Sequence, residues 1–357
     1  MTLSVSGNRD THVEGVSVSE IVAVDIGGTH ARFAFAEIAG GRVVSLGEPC
    51  TLKTSEHASL ETAWEAFRDG AGRPLPRAIA IAIAAPVQGE VIKMTNNSWV
   101  IQPDVIGERL GVDHFELVND FGAVAHAVAQ LGDEHFTHLC GDNLELARQQ
   151  VITVVGPGTG LGVAQLLRHD GSYRVNETEG GHTDFAPLDE IEDAILEHLR
   201  HRIGRVSVER IVSGMGLLNI YEALSVIERR PAHITDEKTL WASALAREDS
   251  LAVAALDRFC LAMGAFAGDM ALAHGSQAVV IGGGLGLRLR DHLPRSSFHS
   301  RFIAKGRFER QMDKVPVKLI THPQAGLYGA AAAFAYRKET AQSGSPARTE
   351  KAEQLAK

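Results

Sequence analysis

Six polar side chains that could hold a ligand stand at strand ends or beside glycines in the sequence. They occur in four short segments, FELVNDFG (115–122), NETEGGHTDFAP (176–187), VERIVSGMG (208–216) and MTNNSWVI (94–101). The candidate ligand-binding residues are Asn119, Asp120, Glu179, His182, Glu209 and Asn96. A carboxylate accepts from two hydroxyls at once, while Asn and His both donate and accept. Since few cations accompany them, the set suits a neutral, polyhydroxylated ligand.

Each of these residues also has an ordinary structural explanation. An Asn-Asp pair at a strand-to-helix junction is often only a helix cap, and a lone Glu such as Glu209 is commonly a solvated surface group. The histidine pairs His135/His138 and His198/His201 have i,i+3 spacing, but no HExxH segment accompanies them. We interpret both pairs as helix surface and not as zinc sites.

Three glycine-rich turns follow hydrophobic runs: DIGGTHAR (25–32), GPGTGLG (156–162) and GGGLG (282–286). Glycine lets the backbone approach a ligand closely, and consecutive N–H groups in such turns form concave anion sites. We therefore predict a phosphate-binding set, which consists of Gly27, Gly28, Thr29, Gly158, Thr159, Gly160, Gly283 and Gly284. Any one turn alone could be only a hairpin connection. GxxxxGKS/T does not occur and GxGxxG fails at all three turns, which excludes a P-loop and a Rossmann fingerprint.

Asp25 stands directly before the first glycine turn. A carboxylate beside a phosphate would be repelled unless a cation stood between them. Mg²⁺ binds one or two carboxylates and substrate phosphate oxygens, so we predict Asp25 as the metal residue. The alternative is an Asp that merely starts a β-turn.

Strands and helices alternate around these segments, which predicts an α/β fold. Strands are expected at 21–26, 31–38, 78–86 and 114–120, two strands around a glycine turn at 151–167, and a strand with a glycine turn at 277–286. Helices are expected at 121–132, 190–204, 216–224 and 255–275. The strand–turn–strand layout of 21–38 recurs at 151–167, which indicates two related lobes with a cleft between them. We predict a small domain of 20–130 plus 322–337, a large domain of 131–321, and flexible tails at 1–19 and 338–357.

The composition is that of an ordinary soluble globular protein. With 35 basic and 44 acidic side chains the formal net charge is −9, which argues against binding to nucleic acid or to an anionic membrane. The three cysteines are far apart and form no metal knuckle, so a reducing cytoplasm fits best. No signal peptide and no membrane span is expected.

Taken in order, the motifs resemble those of the bacterial glucokinases, in the ATP-dependent, zinc-free branch of the actin-like ATPase, sugar kinase and Hsp70 superfamily. The resemblance covers about residues 20–337 and is carried by VAVDIGGTHARFAFAEI, LVNDFGAVA, VVGPGTGLGVAQL, EGGHTDFAP, ERIVSGMGLLNIYEAL and VVIGGGLG. It implies a two-lobed actin-like ATPase fold of ribonuclease-H-like topology with an interlobe cleft. It also implies phosphorylation of glucose at the 6-hydroxyl, with ATP and Mg²⁺, by a cytoplasmic homodimer.

The resemblance also implies a role for each matched residue. Asp120 matches the general base, and Asn119, Glu179, His182 and Glu209 match the residues that hold the glucose hydroxyls. Ser213–Gly216, which contains Gly214, and Gly282–Gly284 match loops on the adenosine side. We expect residues 120, 179, 182 and 209 to converge on one site.

Two positions depart from the family pattern, His30 where many relatives have Asn, and Met215 within the segment SGMG. Both bear on the nucleotide side of the site. Three alternatives remain open from the residues: a sugar-binding regulator without turnover, an Hsp70- or actin-like ATPase, and a kinase for mannose, fructose or an amino sugar. The donor, ATP or polyphosphate, is also open.

Overall fold

The fold is taken from a computed structural model that describes residues 11–13, 16–94 and 97–342. Contacts between Cα atoms divide the chain into two compact units. One unit contains the chain up to Gln130 together with the chain from Pro323 onward, and the other contains Leu131–His322. The second unit is thus an insertion between two parts of the first.

Fifteen strands lie in the described residues. They are β1 (Thr11–Val13), β2 (Val16–Ile26), β3 (His30–Ala39), β4 (Arg42–Leu46), β5 (Cys50–Lys53), β6 (Ala78–Ile83), β7 (Ile92–Lys93), β8 (Val100–Ile101), β9 (His114–Asn119), β10 (Phe136–Cys140), β11 (Val151–Pro157), β12 (Leu161–His169), β13 (Ser172–Thr178), β14 (Ala278–Ile281) and β15 (Val317–Ile320).

Eleven α-helices lie in the same described residues. They are α1 (Leu60–Gly70), α2 (Pro103–Leu110), α3 (Asp120–Gln130), α4 (Glu190–Ile203), α5 (Gly214–Ile227), α6 (Glu237–Ala246), α7 (Ser250–His274), α8 (Gly283–Arg288), α9 (Phe298–Ile303), α10 (Glu309–Met312) and α11 (Ala325–Gln342).

The two main sheets have the same strand order. The first runs β4-β3-β2-β6-β9, with β2–β3 and β3–β4 antiparallel and β2–β6 and β6–β9 parallel. The second runs β13-β12-β11-β14-β15, with the same alternation of antiparallel and parallel pairs, and adds β10 at its end. The repeated layout predicted from the glycine turns is therefore a repeated sheet topology.

Strand β6, with the sequence AIAIAI, shows how the first unit is layered. Alternate residues of a strand point to opposite faces. Ile79, Ile81 and Ile83 pack on one side into a core shared with α1 and α2, while Ala80 and Ala82 pack on the other into a core shared with α3 and α11. Small residues on the second face let those two helices lie close to the sheet.

The second unit has one large core between its sheet and its helices. Helix α7 is at the centre of this core, and 14 of its 25 residues are buried. By length and composition alone this helix could cross a membrane, but 72% of its apolar 18-residue window is buried. Gly264 and Gly268 account for its close packing, because a Cβ on either would lie within 2.4 Å of a backbone oxygen of Phe298 or Phe302. The helix is thus a packed interior helix of its unit.

Regular secondary structure extends into both of the predicted tails, 1–19 and 338–357. Strand β2 starts at Val16 because it pairs with β1, and Ser19 pairs with Ile38 of β3. Helix α11 continues to Gln342, where Thr340 donates from its hydroxyl to the carbonyl of Tyr336. The rest of the predicted tails lies outside the described residues.

The two histidine pairs also differ from each other. His198 and His201 lie on α4 as predicted. His135 ends a short 3-10 turn and His138 lies in β10, so the prediction of a helix surface was wrong for that pair. The i,i+3 spacing arises there from a turn followed by a strand.

Candidate active site

The junction of β9 and α3 carries Asn119 and Asp120. The Oδ1 atom of Asn119 accepts from the backbone N–H groups of Phe121 at 2.9 Å and Gly122 at 3.2 Å, and its Nδ2 donates to the carbonyl of Ala85 at 3.3 Å. Asn119 therefore caps the helix, and it also ties β9 to the segment that follows β6. The carboxylate of Asp120 accepts from the N–H of Phe121 at 2.9 Å. The helix N-terminus is a favourable place for this negative charge.

The turn between β2 and β3 is held by its own backbone and by Thr54. The N–H of Gly27 donates to the carbonyl of His30 at 2.9 Å. Thr54, only 5% exposed, donates through its hydroxyl to the carbonyl of Gly28 and through its N–H to that of Thr29. Thr29 itself is exposed. Thr54 lies 25 residues further along the chain, and the sequence gives no sign of its role.

Asp25 forms an ion pair across the same hairpin. Arg32 faces it in the β2–β3 register and donates through Nη1 to its Oδ2 at 3.2 Å. Burial raises the pKa of the Asp25 carboxyl from its ordinary value, and Arg32 opposes that shift. Gly326, at the start of α11, lies against the carboxylate, because a Cβ there would be 2.9 Å from it. Arg32 and Gly326 were missed by sequence reasoning; the spacing of Asp25 and Arg32 around a two-strand turn could have indicated the ion pair.

The sheet register places these two parts of the first unit at one edge. Strands β2, β6 and β9 are parallel, and Ile26 pairs with Ile83, which pairs with Asn119. The carboxyl ends of parallel strands are where α/β folds bind ligands. The Asp25 turn and the Asn119–Asp120 junction therefore lie at the same edge of their sheet, the edge formed by the carboxyl ends of its parallel strands.

In the second unit, three glycine segments meet at the turn that joins β11 to β12. The N–H of Gly214 donates to the carbonyl of Gly158 at 2.8 Å. A Cβ on Gly283, whose φ is +76°, would lie 2.6 Å from the carbonyl oxygen of Pro157. Ser213 caps α5 by accepting from the N–H of Gly216. All the predicted nucleotide-side segments of this unit are thus in contact.

The third glycine segment differs from the other two. Gly283 and Gly284 begin helix α8, and no second strand follows them. The strand expected in this segment is present as β14. The N–H of Gly282 still donates to the carbonyl of Val155 on β11, but the residues expected to form a glycine turn are the first turn of α8. The result is a strand followed by a short helix at the edge where β11 and β14 end.

Glu179, His182 and Glu209 lie on two short segments that pair with each other. The N–H of Val208 donates to the carbonyl of Thr183 at 2.9 Å, and that of Phe185 donates to the carbonyl of Val206 at 3.0 Å. Nε2 of His182 lies 3.9 Å from a carboxylate oxygen of Glu179. Glu209 belongs to the 3-10 turn Val208–Arg210 that this pairing fixes.

Both segments contact Leu161, the first residue of β12. The N–H of Leu161 donates to Oε2 of Glu209 at 3.0 Å. A Cβ on Gly181 would lie 2.1 Å from the carbonyl oxygen of Leu161, so the Glu179–His182 segment packs directly on that peptide. The predicted polyol-binding residues of this unit therefore converge, and they do so beside the glycine turn. Asn96 lies outside the described residues.

Metal-binding capacity in the described residues is limited to isolated groups. No cluster of three or more His, Cys, Asp or Glu side chains there is placed to hold a metal ion. Asp25 offers one carboxylate, part of which is engaged by Arg32. A single carboxylate suits a Mg²⁺ ion that arrives with a nucleotide and keeps most of its waters, and does not suit a permanently held metal.

A model of the glucokinase family matches residues 22–337. The chain belongs to the glucokinase family. The glucokinase of Zymomonas mobilis is 62% identical over 316 residues, which are 88% of this chain and 98% of that protein. The structure of a glucokinase from an Antarctic psychrotroph has a TM-score of 0.76 at 30% identity and covers 88% of this chain and 98% of its own.

A more distant glucokinase, from Balamuthia mandrillaris and solved in complex with glucose, shares the fold. Its TM-score is 0.72 at 21% identity, with 89% of this chain and 94% of that chain covered. The fold class expected from the sequence, the actin-like ATPase fold of the sugar kinases, is confirmed.

Proposed function

We propose that this member of the glucokinase family transfers the γ-phosphoryl group of ATP to the 6-hydroxyl of D-glucose. The observation that carries the proposal is the family match over residues 22–337. The site geometry supports it, since the polyol-binding segments and the glycine segments of the second unit meet at one hairpin.

Asp120 is the general base in this proposal. Its carboxylate orients the 6-hydroxyl and accepts the proton as the O–P bond forms, which is the usual division of labour in phosphoryl transfer. Asn119 fixes the start of α3 and so positions Asp120. Because the acceptor oxygen of Asn119 is engaged by the cap, its contact with sugar would be made by an N–H of its amide.

Glu179, His182 and Glu209 would hold the other hydroxyls of glucose. A carboxylate that already accepts from a backbone N–H, as Glu209 does from Leu161, is oriented before sugar binds. Such a site rejects ligands that lack the matching hydroxyls, because its own polar groups would be left unpaired.

ATP would bind through the backbone N–H groups of the glycine segments. Thr29 and Thr159 are exposed at the tips of the two hairpins, and their hydroxyls would donate to phosphate. Mg²⁺ bound to the nucleotide would neutralise phosphate charge, and Asp25 is the residue that would orient its waters. The two units would be the small and large domains of a cytoplasmic homodimer.

The experiment is an assay of ADP formation with ATP and Mg²⁺ against glucose, mannose, fructose and an amino sugar. We expect ADP to form with glucose and to depend on Mg²⁺. ADP formation without any sugar would support an ATPase instead, and glucose binding by calorimetry without turnover would support a regulator. Replacement of ATP by polyphosphate tests the donor.

A further inference from the structure

The glycine turn between β11 and β12 contains two glycines with different surroundings. A Cβ built on Gly158 meets no atom within 4 Å, whereas a Cβ on Gly160 would lie 2.5 Å from Oε2 of Glu209. Neither residue has a positive φ, so backbone strain does not explain the choice of glycine at either position. The difference between them is the carboxylate of Glu209.

The same carboxylate oxygen accepts from the N–H of Leu161 at 3.0 Å. The missing side chain of Gly160 thus leaves space for the Glu209 carboxylate, and the N–H of Leu161 donates to that carboxylate. The contact therefore fixes one of the two carboxylate oxygens of Glu209 beside the hairpin. A hydrogen bond to a charged group is among the stronger ones in proteins.

We propose that Gly160 is a positioning residue for the sugar side of the site, acting through Glu209, although it lies in a turn whose composition indicates phosphate binding. The inference rests on the proposed function, since it takes Glu209 as a sugar-binding residue. A side chain at position 160 would displace the end of the Glu209 side chain, which is flexible, and would leave the backbone of the hairpin where it is. The fold would therefore persist, and the loss would appear in sugar binding.

The test compares Gly160→Ala with Gly158→Ala, which adds the same methyl group two residues earlier. Glucose affinity is measured by calorimetry without nucleotide, and kcat and both KM values are measured by coupled assay. We expect Gly160→Ala to weaken glucose binding about tenfold or more, as for loss of a hydrogen bond to a charged group, and to change the KM for ATP less than twofold. Gly158→Ala is expected to leave glucose affinity within about twofold.

A double-mutant cycle with Glu209→Ala identifies the contact responsible. Once the carboxylate is removed, adding Gly160→Ala should weaken glucose binding by less than a further twofold. Full additivity would overturn the inference, as would a Gly160→Ala variant that changes only the KM for ATP or changes neither KM. If Gly160→Ala alone did not fold, the double variant should fold; its failure to do so would mean that the methyl group meets something other than Glu209.

The outcomes separate this inference from the proposed function. If Glu209→Ala left glucose affinity unchanged, Glu209 would not be a sugar-binding residue and the site assignment would fail. If Glu209→Ala weakened glucose binding and Gly160→Ala did not, the site assignment would stand and only the role of Gly160 would fail.

Discussion

Asn119 illustrates how a candidate ligand residue can also be a structural one. The sequence left two readings of the Asn-Asp pair open, a helix cap or a ligand contact. The structure assigns the cap to Asn119, whose Oδ1 accepts two backbone N–H groups. Asp120 follows as the first residue of α3, and its position results from that cap. The two residues therefore have different tasks, which is why their substitutions should have different effects.

Replacement of Asp120 by Asn tests the general base. Asp120→Asn preserves the size of the side chain and one oxygen that can accept from the N–H of Phe121, but it cannot accept the proton, so we expect kcat to fall by about 10²- to 10⁴-fold with glucose affinity kept within a few-fold. Steady-state kinetics and calorimetry give the two values. Asp104→Asn is the matched control, since Asp104 is an exposed acid in the first turn of α2; near-normal kcat in Asp120→Asn would exclude Asp120 as the base.

The residue types of the site could be predicted from the sequence, but several of their contacts could not. Arg32 and Thr54 act on the first hairpin through strand register and tertiary approach, and Gly326 approaches Asp25 from a helix 300 residues away. The contacts of Thr54 and Gly326 depend on where the chain returns in space, which local spacing does not encode, whereas the Arg32 contact follows from the register of one hairpin.

At the scale of elements, the close contact between α3 and α11 decides where α3 lies. A Cβ on Gly329 of α11 would be 1.8 Å from the backbone oxygen of Ala123 on α3. The small residues on that face of β6 match this close approach. Backbone atoms cannot move aside as a flexible side chain can, so the contact tolerates no added atom.

We expect Gly329→Ala to lower the free energy of unfolding by about 1–3 kcal/mol or more, the usual range for overpacking, and to lower kcat because α3 begins with Asp120. Urea unfolding and kinetics measure these effects. Gly70→Ala is the control, because Gly70 lies in α1 and a Cβ there meets nothing within 4 Å. Equal stability of the two variants would contradict the proposed packing role.

His126, on α3, makes this helix a source of acid sensitivity. Its side chain is buried against Tyr336 of α11, with 5.7 Å between ring centroids, and burial lowers its pKa from 6.5 to about 3. A depressed folded-state pKa means that the unfolded chain takes up a proton first as pH falls. The contribution of neutral His126 to the free energy of unfolding is complete above pH 6.5 and is lost progressively between pH 6.5 and about 3.

Between pH 6.5 and 4.5 this residue should account for a loss of about 2 kcal/mol in the free energy of unfolding. His126→Phe should remove that part of the pH dependence, as measured by urea unfolding at several pH values. Val124→Ala, also on α3, should lower stability without changing the slope. An unchanged slope in His126→Phe would show that His126 does not carry the effect.

The strands and helices were predicted best where the pattern of apolar residues was clear. The continuous apolar runs of β2, β6 and β11 identified strands, and β9 and α3 fell where expected. The glycine turn predicted at 282–286 is instead the start of α8, because a run of glycines is compatible with a turn or with the first turn of a helix.

At the scale of the whole molecule, the sequence indicated a repeated architecture through its strand–turn–strand layout and glycine placement. The structure shows the repeat as two sheets of equal strand order. Residue identity between the halves is low because topology constrains only which positions are apolar and where the chain turns. The segment GAFAG (264–268) in α7 has the spacing of a membrane helix-pairing motif. In this structure its two glycines pack against the backbone of α9.

The two outer parts of the chain lie side by side in the first unit. Lys338 of α11 donates to the hydroxyl of Ser19 on β2 at 2.6 Å. A short linker could therefore join the chain near Lys338 to the chain near Ser19, and the chain could be reopened at an exposed tip such as Asp170–Gly171, at the end of β12 remote from Leu161. Such circular permutants are tolerated where the termini are close and the new break is exposed. The fold thus depends on the contacts between its segments and not on the order in which those segments are synthesised.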